Sequence, residues 1–210
     1  MKKFLKKIGA GLSSTIKNGA GFTLIELLIV IAVLGVLATA VLSAINPIEQ
    51  INRGKDTGSR SDAEQLLSAI DRYYAAQGYY PWQTGEADTL HVATAWGVVD
   101  NTTWADTAAV PVPVLTKLSS GGTAELKTSF ITRIIGTTYN TLYKYNHGDP
   151  GEATYICFPA KSGSFKTEAN KRCSATGLET GDPAGGGLPA DLVPMAANIC
   201  VVATPKICLP

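Results

Sequence analysis

Three groups of residues in this chain of 210 have types and spacings that could do chemistry. The first is Glu26, a lone carboxylate at the start of an apolar run. Residues 27–45 hold no charged side chain and are interrupted only by Gly35, Thr39 and Ser43. A charge at the centre of a bilayer costs about 2.5–3.5 kcal/mol by insertion scales, so an acid in such a run needs a purpose. The second group is Cys157, Cys173, Cys200 and Cys208, an even set confined to the C-terminal third. They form no CxxC pair and no histidine stands at metal-site spacing, which argues against zinc and for disulfides in an oxidising compartment, with free buried thiols as the alternative. The third group is scattered. His91 and His147 lie in loop-like sequence without a matching acid–nucleophile set and read as surface residues. Asp149, Glu152 and Asp182 are too sparse for the six to eight oxygens a calcium ion takes. No glycine-rich phosphate loop occurs. The chain therefore reads as a non-enzyme, with no catalytic residue, no metal and no cofactor expected.

The elements that must position these residues begin with the apolar run. A bilayer core of about 30 Å needs roughly 20 helical residues, so the run is long enough to span. Ahead of it stand Lys2, Lys3, Lys6, Lys7 and Lys17 with no acid. Basic residues flanking a span stay cytoplasmic, which places everything after Ile45 outside, where disulfides form. The net charge of +1 thus hides a basic N-terminus and a mildly acidic remainder. That remainder carries no electrostatic footprint for nucleic acid, and no specific nucleic-acid partner is expected. An ordinary secretory signal would end at small residues, and Ala38-Thr39-Ala40 offers such a site. Glu26 and the continuation of the apolar run past Ala40 to Ile45 count against it.

The segment Gly21-Phe22-Thr23-Leu24-Ile25-Glu26 resembles the processing motif of type IV pilins and type II secretion pseudopilins. The resemblance implies that a prepilin peptidase cuts between Gly21 and Phe22 and that the new amine of Phe22 is methylated. It also implies that Glu26 meets the Phe22 amine of a neighbouring subunit during assembly. Breaking a buried ion pair by removing one partner costs about 3–5 kcal/mol. The uncut precursor has no such amine, so processing licenses assembly. The partners implied are copies of the chain and other pilins, the peptidase, a membrane assembly platform, and lipid before assembly. The implied location is the cytoplasmic membrane as a single-pass precursor, then a filament at the cell surface.

After the span, Pro47 removes a helical hydrogen bond and kinks or breaks the helix; pilins often carry such a proline there. Gly54 and Gly58 each cost about 1 kcal/mol against alanine in a helix, so local melting is expected between them. Another reading is that these are membrane-exit residues that merely loosen the backbone. Ser61 and Glu64 have capping-box spacing. Leu66, Leu67, Ile70, Tyr73, Tyr74 and Gln77 then follow one face of an amphipathic helix, stopped by Gly78 and Pro81. A helix unbroken from Phe22 to Gln77 would measure about 84 Å. Gly78-Tyr79-Tyr80-Pro81-Trp82 resembles the Gly-Tyr-Pro turn after the long helix of many pilins; its aromatics read as packing rather than a sugar- or base-stacking platform. Residues 83–125 read as a variable loop with short helical or strand pieces. Strands are expected at Lys127–Ile135, Tyr139–Tyr145, Ala153–Phe158 and Asn198–Ala203, with a turn at 146–151 and a glycine-rich loop at 177–187. Sequential pairing, Cys157 with Cys173 and Cys200 with Cys208, is the simplest of three connectivities, and many pilins staple their C-terminal region in this manner.

The expected organisation is a leader at 1–21, a membrane or filament-core helix at 22–45, its kinked amphipathic continuation at 46–79, and a head at 80–210. Within the head, 80–126 is the variable loop and 127–210 the sheet and disulfide region. The fold class is α+β, a long N-terminal helix with an antiparallel sheet. The leading function is a structural subunit of a type IV pilus-like filament. A secretion pseudopilin is the near alternative, and an anchored or secreted surface-binding module the distant one.

Overall fold

The computed structural model describes residues 21–88, 94–120, 124–136, 140–148, 153–173 and 188–210. The chain divides between Asn46 and Pro47 into two units.

In the first unit, α1 runs from Leu24 to Ala44, 21 residues with a mean hydropathy of 2.8 over its most apolar window. At 1.5 Å per residue this is about 32 Å, enough to cross a bilayer core. None of its residues is buried among the described residues. Its two hydroxyls bond back to their own helix, Thr39 Oγ1 to the Val36 carbonyl and Ser43 Oγ to the Ala40 carbonyl, each at 2.8 Å. The apolar run therefore presents no unsatisfied hydroxyl to a surrounding hydrocarbon. The helix ends where Ile45 turns extended, at φ −100° and ψ 129°.

The second unit opens with α2, Pro47–Gln77. Proline fits a helix start because its missing N–H would be unsatisfied there anyway. Pro47 thus begins a new helix instead of kinking a continuous one. Contrary to the expected melting, α2 is unbroken through Gly54 and Gly58, and Ser61 lies in its interior rather than at a cap. Polar ties hold this half in place. Glu49, Arg53, Asp56 and Arg60 recur on one face, and each meets the segment 161–168. Asp56 is fully buried and accepts from the Ser162 amide at 2.8 Å, the Ser162 hydroxyl at 2.7 Å and the Lys161 amide at 3.1 Å. Lower down, Ala63, Leu66, Ile70 and Tyr73 enter the main core. Gly78, at φ +80°, closes the helix, its amide donating to the Tyr74 carbonyl at 2.8 Å.

A four-stranded antiparallel sheet follows in the order β1 (Thr94–Val98), β2 (Tyr143–Asn146), β3 (Tyr155–Pro159), β4 (Lys206–Leu209). Alternation splits β3 between two cores. Ile156 and Phe158 join Ile207 and the α2 residues on one face. Tyr155 and Cys157 join Tyr145 and Cys208 on the other. That second face is covered by a 3-10 turn, Ala190–Met195, and a short helix, through Leu188, Leu192, Ala196 and Ile199. Between β1 and β2 lie α3 (Val114–Ser119) and α4 (Thr128–Ile134); α5 (Gly163–Arg172) follows β3, and α6 (Ala196–Ile199) precedes β4.

Two expected strands are corrected. Residues 127–135 form α4, because Phe130, Ile131 and Ile134 bury at helical spacing despite their β-forming composition. Residues 198–203 end α6 and enter a turn in which the Thr204 amide donates to the Val201 carbonyl at 3.0 Å; Val201 and Val202 are exposed, and the last strand starts at Lys206. The expected strand over 139–145 is present as Tyr143–Asn146, with Tyr139 outside the described residues, and that over 153–158 as Tyr155–Pro159. The loop 83–125 contributes β1 and α3.

Candidate processing and assembly site

Gly21 and Phe22 precede α1, and Phe22 is 84% exposed. Thr23 is the N-cap, with extended backbone at φ −74° and ψ 149°. Its hydroxyl accepts from the Glu26 amide at 3.3 Å. In return, Glu26 Oε2 accepts from the Thr23 amide at 2.9 Å and from the Thr23 hydroxyl at 2.8 Å. Thr23 and Glu26 form a capping box, which satisfies donors that the first helical turn would leave open. The carboxylate also complements the positive end of the helix dipole. The acid that sequence singled out therefore has a local role in the isolated chain. It holds the first turn of a helix whose start would otherwise present bare amides to an apolar medium. Both contacts use Oε2. Ala38, Thr39 and Ala40, the alternative cut site, lie inside α1.

The cysteines pair in the head, but not sequentially. Cys157 bonds to Cys208 and Cys173 to Cys200, so one loop is nested inside the other. The cause is strand register, which sets Cys157 opposite Cys208 across β3 and β4. His147 is exposed at the end of β2; His91, Asp149, Glu152 and Asp182, with the glycine-rich loop 177–187, lie outside the described residues.

The aromatic motif after α2 packs as a column. Tyr74 stacks on Tyr80 and Tyr80 on Trp82, both at 4.7 Å between centroids, and Trp82 meets Trp104 at 6.3 Å. Both faces of Tyr80 are thereby occupied, and Trp82 is 3% exposed. The motif closes the end of α2 against the head.

Sequence reasoning passed over two sets of residues. Thr23 was read only as part of a motif, although its spacing from Glu26 is that of the capping box sought at Ser61. The anchoring set Glu49, Arg53, Asp56 and Arg60 was hidden behind the two glycines, yet its i, i+4, i+7, i+11 spacing is a helical signal carried by polar residues.

The electrostatics of the head are tight. The Asp106 carboxylate lies 2.6 Å from the Lys117 ammonium and accepts from the Val112 amide at 2.9 Å. Burial works to raise the Asp106 pKa, but the Lys117 contact and the amides bring it below the usual value. Burial likewise works against Asp100, yet hydrogen bonds from Thr103 and Thr102 hold it well below the carboxylate range. Lys144 sits over Gly97, donates to the Ala95 carbonyl at 2.8 Å, and has its pKa lowered by burial, with Asp100 opposing.

Among known proteins, no curated sequence and no solved structure matches the chain. A family model does, the prokaryotic N-terminal methylation motif, over residues 16–42. The matched stretch contains the Gly21-Phe22 junction, the capping box and nearly all of α1. This motif is the hallmark of type IV pilins and pseudopilins, and over residues 16–42 it supports a pilin-like or pseudopilin precursor.

Proposed function

We propose that the chain is a structural subunit of a type IV pilus-like extracellular filament and catalyses no reaction. The precursor inserts through α1 with its lysine-bearing leader in the cytoplasm. A prepilin peptidase cuts after Gly21, the Phe22 amine is methylated, and the mature subunit leaves the bilayer to pack α1 among neighbouring copies. One observation carries the reading: the matched methylation motif contains most of an apolar helix that is buried against none of the described residues. Such a helix needs lipid before assembly and other subunits after it. The head, with its own cores and two disulfides, suits an outward-facing surface that filament packing leaves free.

Glu26 links the two stages. In the monomer its Oε2 caps α1 through Thr23. In the filament its charge meets the Phe22 amine of a neighbour. Glu26→Ala is expected to leave insertion and cleavage intact and to abolish or strongly reduce filaments, because the neighbour's amine is left charged in a desolvated core without its partner. Glu26→Gln is expected to be intermediate, since it keeps an acceptor without the charge. The assay is surface filament yield beside the amount of mature subunit in the membrane. Normal filaments from Glu26→Ala, made without any wild-type subunit, would overturn this role.

A further inference from the structure

The two disulfides occupy unlike places on the second face of the sheet. Cys157 and Cys208 are 0% and 2% exposed and stand opposite each other on β3 and β4. They share a buried cluster with Leu188, Leu192, Ala196 and Ile199 from the segment 188–200 that covers this face. Cys173 and Cys200 are only half-buried. Their bond joins the C-cap of α5 to the C-cap of α6, and so fastens the end of the covering segment. Polar ties of that segment to the sheet include the Tyr155 hydroxyl, which donates to Asp191 Oδ1 at 3.0 Å, and the Lys206 ammonium, which donates to the Asn198 carbonyl.

We propose that Cys173–Cys200 is a redox-sensitive latch on residues 188–200, and that it guards Cys157–Cys208. A dithiol reductant attacks one sulfur of the half-buried bond through its thiolate, and a mixed disulfide forms as the Cys173–Cys200 bond breaks. The second thiolate of the reagent then displaces the remaining cysteine. The reagent ends as a cyclic disulfide, and two electrons with two protons rest on the Cys173 and Cys200 thiols. Thiol–disulfide exchange needs access to sulfur along the bond, which the covering segment denies to Cys157–Cys208. Once unlatched, residues 188–200 keep their buried apolar contacts and their hydrogen bonds to the sheet but lose the covalent tie at Cys200, which lowers the cost of opening this segment locally. Opening bares Tyr145 and Tyr155 and gives the reductant its path to the inner bond. Reduction is therefore ordered, the outer bond before the inner.

The test uses the full chain in detergent micelles with increasing dithiothreitol, acid quenching, alkylation and peptide mapping, alongside hydrogen exchange. The expected result is a species alkylated at Cys173 and Cys200 with Cys157–Cys208 intact, formed at reductant at least tenfold lower than full reduction requires. In that species exchange accelerates at residues 188–200 and stays unchanged in β3 and β4. In a Cys173→Ser/Cys200→Ser variant the inner bond is expected to reduce at least tenfold faster than in wild type; should that variant not fold, the wild-type map decides alone. Reduction of Cys157–Cys208 first, reduction of both bonds together, or unchanged protection of 188–200 in the singly reduced species would overturn the proposal.

Discussion

Asp56 shows how much can rest on a single buried side chain. It gathers two backbone amides and a hydroxyl from the turn before α5, with no exposure of its own. Asp56→Ala leaves those donors buried without an acceptor, and hydrogen bonds to charged groups are worth about 1.5–3 kcal/mol each. A loss of about 2–4 kcal/mol is expected in chemical unfolding of the head. Asp100 and Asp106 govern the acid side. Their folded pKa values lie below the ordinary value, so their contribution is present above about pH 4 and is lost as pH falls through the folded values. Stability of the head is expected to fall in acid, and Asp106→Asn to flatten that fall at the cost of lower stability at neutral pH. A pH series of denaturant melts reads both; an unchanged acid slope in the variant would remove Asp106 from the account.

At the scale of elements, Gly54 inside α2 and Gly78 just past its end should answer in opposite directions. Gly54 is exposed in the helix, and a Cβ there would meet nothing within 4 Å. Gly54→Ala should stabilise the head by about 0.5–1 kcal/mol. Gly78 is left-handed, and a Cβ would come within 2.8 Å of Glu86 Oε1. Gly78→Ala should destabilise by about 1–2 kcal/mol. Thermal melts of the two variants check the pair. The helix itself was legible because Leu66, Ile70 and Tyr73 repeat at 3.6, and β3 because its run of buried residues is bounded by turn signals. The stretch 128–134 was misread because its β-branched residues spoke for a strand while their spacing, the better witness, spoke for α4. The disulfide pairing was not legible, since it follows from the β3–β4 register, a contact between residues 51 apart in sequence. The nested loops, of 51 and 27 residues, should contribute on the order of 3–5 kcal/mol each by the chain-entropy model.

For the whole molecule, the sequence divides its labour along its length. The motif segment and α1 contain the Gly21-Phe22 junction, the capping carboxylate and an apolar surface that finds no cover among the described residues, while the head folds around its own two cores. The split between apolar run and head was plain from charge and hydropathy alone, because a basic N-terminus, an acid at Glu26 and an uncharged run are local properties of sequence. The task of the head was not plain, because its outer residues are set by loops whose composition carries no single chemistry. Processing at the junction between Gly21 and Phe22 is the step on which the proposed filament role depends, and its most direct measurement is the mass of the mature N-terminal peptide from membranes and from sheared cell-surface material. The predicted result is a chain that begins at Phe22 and carries one methyl group on its amine in both fractions. A chain that begins at Val41, or one that retains Met1, would contradict it.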